Sequence, residues 1–202
     1  MNIYLVRHAQ SFCNISNEHT YIYSSNSSLT NYGILQAKSF AEYYKNLNID
    51  IIYTSPLVRA IQTADIIRKN FEIEKFYKDV RLSEMITLED TIYSSPDVWD
   101  KILDERVQFP SKIINGIESL ENQYERMISF LSDIKNTNFN NVLVVTHAFN
   151  IECTLAYILG TPLEKLKQTR FKISNMGLFL IEISDCFNYI KLCNGLSHIE
   201  VI

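Results

Sequence analysis

Three short apolar runs stand out along the chain: Ile3–Val6, Ile49–Tyr53 and Val142–Val145. Each is continuous rather than alternating, the pattern of a strand covered on both faces. Each is followed by residues at helical spacing. Thr30 can cap a helix from Asn31 to about Lys45, with Ile34, Ala37, Phe40, Ala41 and Tyr44 on one face. Ser55 followed by Pro56 reads as a cap and a first-turn proline, opening a helix through Ile67. A third helix is expected from Glu118 to about Lys135, with Leu120, Tyr124, Met127, Ile128 and Leu131 inward. A fourth runs from Phe149 to Leu159 and is closed by Gly160. Leu178–Ile183 and Tyr189–Leu192 read as late strands forming an edge pair, while Ser24–Ser28 and the proline-bearing stretch Ser94–Pro110 read as loops. The alternation predicts an α/β fold, a three-layer α/β/α sandwich around a mostly parallel central sheet. Ligands of such sheets gather at the carboxyl ends of the strands.

Composition narrows the function classes. The 202 residues suit one domain, and 47% hydrophobic with 21% charged is ordinary globular usage. A net charge of -4 offers no overall basic field for nucleic acid or anionic lipid. No apolar run approaches the ~20 residues that span a bilayer. The four cysteines, Cys13, Cys153, Cys186 and Cys193, form no CxxC pair and fit reduced thiols in a cytoplasmic protein. Cys13 reads as a small packing residue. His19 and His198 have no partner at metal-ligand spacing, and HExxH is absent, so no metal and no cofactor is expected. A Gly-rich phosphate loop, a cysteine-phosphatase signature and a DxD motif are also absent.

The informative residues follow the three strands. After the first comes Arg7-His8-Ala9-Gln10-Ser11, after the second Thr54-Ser55-Pro56-Leu57-Val58-Arg59, and after the third Thr146-His147-Ala148. Any one of these taken alone is a surface or capping residue. Together, on one sheet edge, two arginines and two histidines make an anion pocket with a nucleophile in it.

Those residues sit in longer strings. LVRHAQSFCN (5–14) resembles the LVRHGET…N signature of the histidine phosphatase superfamily, which includes the cofactor-dependent phosphoglycerate mutases. LTNYGILQAKSFA (29–41), YTSPLVRAIQTADII (53–67), RLSEM (81–85), GIESLENQYERM (116–127) and VLVVTHAFNI (142–151) are similar to further blocks of the family, in the same order. TPLEKL (161–166) and SHIEVI (197–202) resemble its broad-specificity phosphatase branch. The resemblance implies a phosphoglycerate mutase-like fold over 1–202, with a cap-like insertion at roughly 85–118. It implies His8 as the nucleophile that carries a phosphoryl group, and Glu84 as general acid and base. Arg7, Arg59, His147 and Asn14 would bind the phosphoryl oxygens, without metal or cofactor. Glu89 and Asp90 are the fallback acids.

The expected partner is a small-molecule phosphomonoester, not nucleic acid or membrane, and a homodimer is allowed for. Two other functions stand beside phosphatase: a phosphoglycerate mutase, and a module that binds phosphate ligands without turnover. The short stretch between Glu84 and His147 argues against the mutase, and the intact set of five charged and histidine residues argues against the binding module. Departures from the family pattern fall on the substrate side. Ala148-Phe149 replaces Gly-Gly, with Phe149 expected to narrow the pocket. The WEG segment after the acid and the Arg-x-Gln-Gly stretch before LTxxG are missing.

Overall fold

The computed structural model describes residues 1–15, 21–22, 27–86, 92–93, 96–184 and 186–199, with backbone alone for 21–22, 92–93 and 96–100. In chain order the strands are β1 (Asn2–Arg7), β2 (Tyr21–Ile22), β3 (Ile51–Thr54), β4 (Phe76–Lys78), β5 (Ile92–Tyr93), β6 (Asn141–Thr146), β7 (Leu178–Ile183) and β8 (Asn188–Gly195). The α-helices are α1 (Asn31–Tyr43), α2 (Val58–Phe71), α3 (Pro96–Gln108), α4 (Leu120–Lys135) and α5 (Ala148–Leu159).

Six strands form one sheet in the order β4-β3-β6-β1-β7-β8. β4, β3, β6 and β1 are parallel, and β7 and β8 add an antiparallel edge. The continuous apolar runs are explained by two cores, one on each face. Ile3, Leu5, Val142 and Val144 turn toward α4 and α5; Tyr4, Val6, Leu143 and Val145 turn toward α1 and α2. Neighbouring strand residues point to opposite faces, so every position of β1 and β6 between the ends is buried. The expected three-layer sandwich is the observed one. Thr30 caps α1 as expected, its Oγ1 accepting from Gly33 N–H at 2.9 Å. Gly160 closes α5 in the left-handed region, φ 63°.

Three expectations need correction. Ser94–Pro110 is not a loop, because residues 96–108 form α3. Pro96 sits in the first turn, where a missing N–H costs nothing, and Pro110 lies beyond the end. Ile102 and Val107 are buried on this helix, Ile102 beside Met85, Ile114 and Ile117. Secondly, α2 begins at Val58, two residues after Pro56, and Ser55 serves another purpose. Thirdly, α4 begins at Leu120 with Ser119 as its cap, and its buried face includes Gln123 and Phe130, whereas Ile128 is half-buried. β4 was not expected. β2 and β5 pair as a two-residue antiparallel ribbon, joining the chain beyond β1 to the chain before α3. Of the Ser24–Ser28 loop, residues 24–26 lie outside the described residues.

Candidate active site

The loops after β1, β3 and β6 meet because those strands are parallel neighbours. His8 follows β1, Arg59 lies in the first turn of α2, and His147 caps α5 after β6. All three are buried, and the two imidazoles are 5.0 Å apart, edge to face. Glu84 comes from the loop after a 3-10 turn at Val80–Leu82 and is also buried.

The hydrogen bonds of His8 settle its tautomer. Nδ1 faces the Ala9 carbonyl at 2.8 Å, and a carbonyl can only accept, so Nδ1 carries the proton. Nε2 therefore holds a lone pair, which accepts from Arg59 Nε at 3.2 Å. Burial pushes this imidazole well below its ordinary pKa, and the charges of Arg59 and Arg7 push it the same way. The ring is held neutral and oriented by its own backbone.

His147 shares a 2.8 Å hydrogen bond between Nε2 and Ser55 Oγ, which also accepts from Leu57 N–H at 3.2 Å. Burial, Arg59, His8 and Arg7 keep its pKa well below the ordinary value too. Its Nδ1 lies 3.6 Å from Glu84 Oε2, too far for a hydrogen bond. Glu84 Oε1 accepts from Phe149 N–H, in the first turn of α5, at 3.0 Å. Burial raises the Glu84 pKa, and the opposing pull of Arg59 and Arg7 is smaller. Arg7 donates through Nη1 to the Ile173 carbonyl at 2.7 Å, while its buried Nε has no hydrogen-bond partner among the described residues. A buried guanidinium that its own protein does not fully satisfy is suited to an anion.

Asn14 is exposed at the rim. Its Oδ1 accepts from Ser11 N–H (3.0 Å), Ser11 Oγ (3.1 Å) and Asn175 Nδ2 (3.2 Å), and Asn175 Nδ2 also donates to the His8 carbonyl at 2.9 Å. Cys13 is half-buried with Sγ 3.2 Å from Ser11 Oγ. Glu89 and Asp90 lie outside the described residues.

The loop from His8 to Ile15 is fastened along its whole length. Its backbone N–H groups donate in turn to Thr146 O, Thr63 Oγ1, Gln36 Oε1, Asn14 Oδ1, Ser28 O, Ser27 Oγ, Ser11 O and Phe12 O. Gly33 is what lets α1 approach, because a Cβ there would stand 1.9 Å from the Gln10 carbonyl oxygen. Asn175, Gln36, Thr63 and Ser55 were missed as site residues from sequence. A signal existed for two of them: Gln36 and Thr63 are polar positions on otherwise buried helix faces. Asn150 is another, fully buried in the apolar α5 and donating to Leu82 O and Ser83 O at 2.7 and 2.9 Å.

Phe149 is placed differently from expectation. It is 6% exposed, packed in the core between the guanidiniums of Arg170 (4.6 Å) and Arg106 (5.3 Å) rather than presented to a cleft.

The sequence matches the histidine phosphatase superfamily (branch 1) over residues 3–195. The chain belongs to the histidine phosphatase superfamily. It is 35% identical to the 5''-phosphoribostamycin phosphatase of Niallia circulans, over 99% of each chain. It is 27% identical to phosphoserine phosphatase 1 of Hydrogenobacter thermophilus, covering 98% of this chain and 94% of that one. Bacillus stearothermophilus YhfR superposes with a TM-score of 0.83 at 25% identity over 98% of both chains. The phosphoglycerate mutase-like fold and the phosphatase reading of the sequence both stand on this ground. No helix among the described residues is long and apolar enough to cross a membrane.

Proposed function

We propose that the chain hydrolyses small-molecule phosphomonoesters in two steps through a phosphohistidine on His8. The observation that carries this is the state of His8: Nδ1 spent on the Ala9 carbonyl, Nε2 unprotonated with its lone pair toward Arg59, and burial keeping the ring neutral. In the first step Nε2 attacks phosphorus and the phosphorus–oxygen ester bond breaks. Protonated Glu84 gives its proton to the leaving oxygen. In the second, water attacks the phosphohistidine, the Glu84 carboxylate takes its proton, and inorganic phosphate leaves. Arg7 and Arg59 neutralise the phosphoryl oxygens, His147 donates to them, and Asn14 reaches them from the rim. The two arginines supply the positive charge, and His147 and Asn14 supply neutral hydrogen bonds.

The raised Glu84 pKa supports an acid-type phosphatase. The acid must be protonated to act, so kcat/KM falls as pH rises through its pKa. His8, held neutral by burial and by Arg59 and Arg7 to well below its ordinary range, stays unprotonated where an ordinary imidazole would begin to charge. The segment at roughly 85–118 forms the cap against which the leaving group fits. The setting is the cytoplasm, where the four unpaired cysteines stay reduced.

The test is hydrolysis of a generic aryl phosphate with excess chelator, comparing the wild type with His8→Ala. The wild type should turn over and form an acid-labile phosphoenzyme. His8→Ala should do neither, with activity down at least about a thousandfold. Equal activity in both would end the reading. A panel of phosphomonoesters including phosphoribostamycin sorts substrates. Stimulation by bisphosphoglycerate without hydrolysis would point to the mutase instead.

A further inference from the structure

The Glu84 carboxylate is anchored to α5, but its backbone is anchored to α4. The Glu84 carbonyl accepts from Arg126 Nη2 at 2.8 Å and from Gln123 Nε2. Arg126 Nη1 donates to the Arg81 carbonyl, three residues upstream. The same guanidinium pairs with Glu118, both partners being about nine-tenths buried. Glu118 holds the downstream side: its Oε1 accepts from Ile86 N–H at 2.8 Å, and its own N–H donates to the Ile86 carbonyl at 2.9 Å. One ion pair thus grips the loop at positions 81, 84 and 86, on both sides of the acid.

Burying two charges costs several kcal/mol per ion before their attraction offsets it, and apolar packing of the same volume is often as stable. A pair whose side-chain hydrogen bonds to backbone all fall on one six-residue loop is therefore poorly explained by stability. Placement explains it better. A misplacement of about 1 Å costs on the order of a hundredfold in rate.

We infer that Arg126, oriented by Glu118, is a positioning residue that sets where the Glu84 carboxyl meets the leaving oxygen. This rests on the reading of Glu84 as the acid. Arg126 reaches the loop through backbone carbonyls and does not touch the reacting atoms; its charge also helps keep the His147 pKa low, an effect that would not depend on the leaving group.

Leaving groups distinguish placement from mere folding. An alkyl phosphate needs its departing oxygen protonated, whereas 2,4-dinitrophenyl phosphate does not. kcat/KM reports the steps up to phosphoryl transfer to His8. Arg126→Gln should lower it for an alkyl phosphate by about ten- to a hundredfold, and for the dinitrophenyl ester by less than about threefold. Glu84→Gln should show the same contrast, larger. Arg126→Lys keeps the charge but loses the fork, and Glu118→Gln loosens the guanidinium. Both should show the contrast at intermediate size, and they carry the test if Arg126→Gln does not fold. Equal losses on both esters in the Arg126 and Glu118 variants, beside a discriminating Glu84→Gln, would overturn the inference and leave the acid in place. No discrimination in Glu84→Gln would overturn the acid assignment and the inference with it.

Discussion

The loop carrying His8 and the segment from Met85 to Glu118 are held in opposite ways. The His8 loop follows β1 with Ala9 in the core under α1 and α2, and each of its backbone donors has a partner within the protein. The other segment packs on a small cluster, Met85, Ile102, Ile114 and Ile117, which Leu103 and Val107 of α3 tie to the larger core. In-line transfer to a histidine tolerates almost no displacement, whereas fitting varied leaving groups needs a wall that yields. On the proposed function, the more fully hydrogen-bonded of the two regions is the one that would make bonds, and the other is the one that would select substrates.

Substituting Gly33 tests the rigid side. Gly33→Ala forces a methyl group into the Gln10 carbonyl, so α1 and the loop must part. The expected cost is about 3 kcal/mol of stability by denaturant melt, with phosphoenzyme formation falling further than stability does. A variant as stable and as active as wild type would show that the loop is not set by this contact.

Ile102→Ala tests the yielding side and should do less. Truncating a buried Ile costs about 2 kcal/mol where the surroundings can collapse. Because Ile102 belongs to the small cluster and not to the larger one, the loss should appear mainly as faster hydrogen exchange in residues 96–118, with exchange at β1 and β6 unchanged. kcat/KM should shift for bulky esters and stay within about twofold for small ones. Uniformly faster exchange would merge the two regions into one cooperative unit.

The smallest effect concerns the far end of α1. His198 is buried against Phe40, Tyr43 and Tyr44, neither ring nitrogen has a hydrogen-bond partner among the described residues, and burial lowers its pKa to about 4. The unfolded chain holds the proton up to about 6.5, so it binds more protons than the folded chain between those values. Stability should be full above pH 6.5 and decline as pH falls toward 4. The depressed His8 and His147 push the same way. His198→Phe should flatten part of the melting-temperature decline. An unchanged decline would clear His198 of any part in it.

The sequence was most legible where burial is on two faces. Runs such as Val142–Val145 admit few readings, and the residues ending each strand must share an edge once the strands are parallel. That was enough to bring His8, Arg59 and His147 together before any coordinates. Legibility failed where polar groups act inside the protein. Gln36, Thr63, Asn150 and Asn175 satisfy backbone groups, and neither charge nor periodicity marks that work. It failed again at α3, where two prolines read as loop although one starts the helix and the other follows it. Ser55 was read as a cap because Ser-Pro usually is one; its hydroxyl is given to His147, a contact between residues far apart in the chain.

The full use of the His8 loop's amides has a consequence for inhibition. A phosphate-cradling loop grips its anion with fixed amide dipoles shaped to one ion. Here those amides are already engaged, so an anion would have to be met by guanidinium and imidazole side chains. Such a site recognises charge more than outline. Sulfate, vanadate, tungstate and high chloride should all compete with substrate, in proportion to charge density more than to resemblance to phosphate, and competition by the multivalent oxyanions should weaken only slightly as ionic strength rises, because buried charges are little screened.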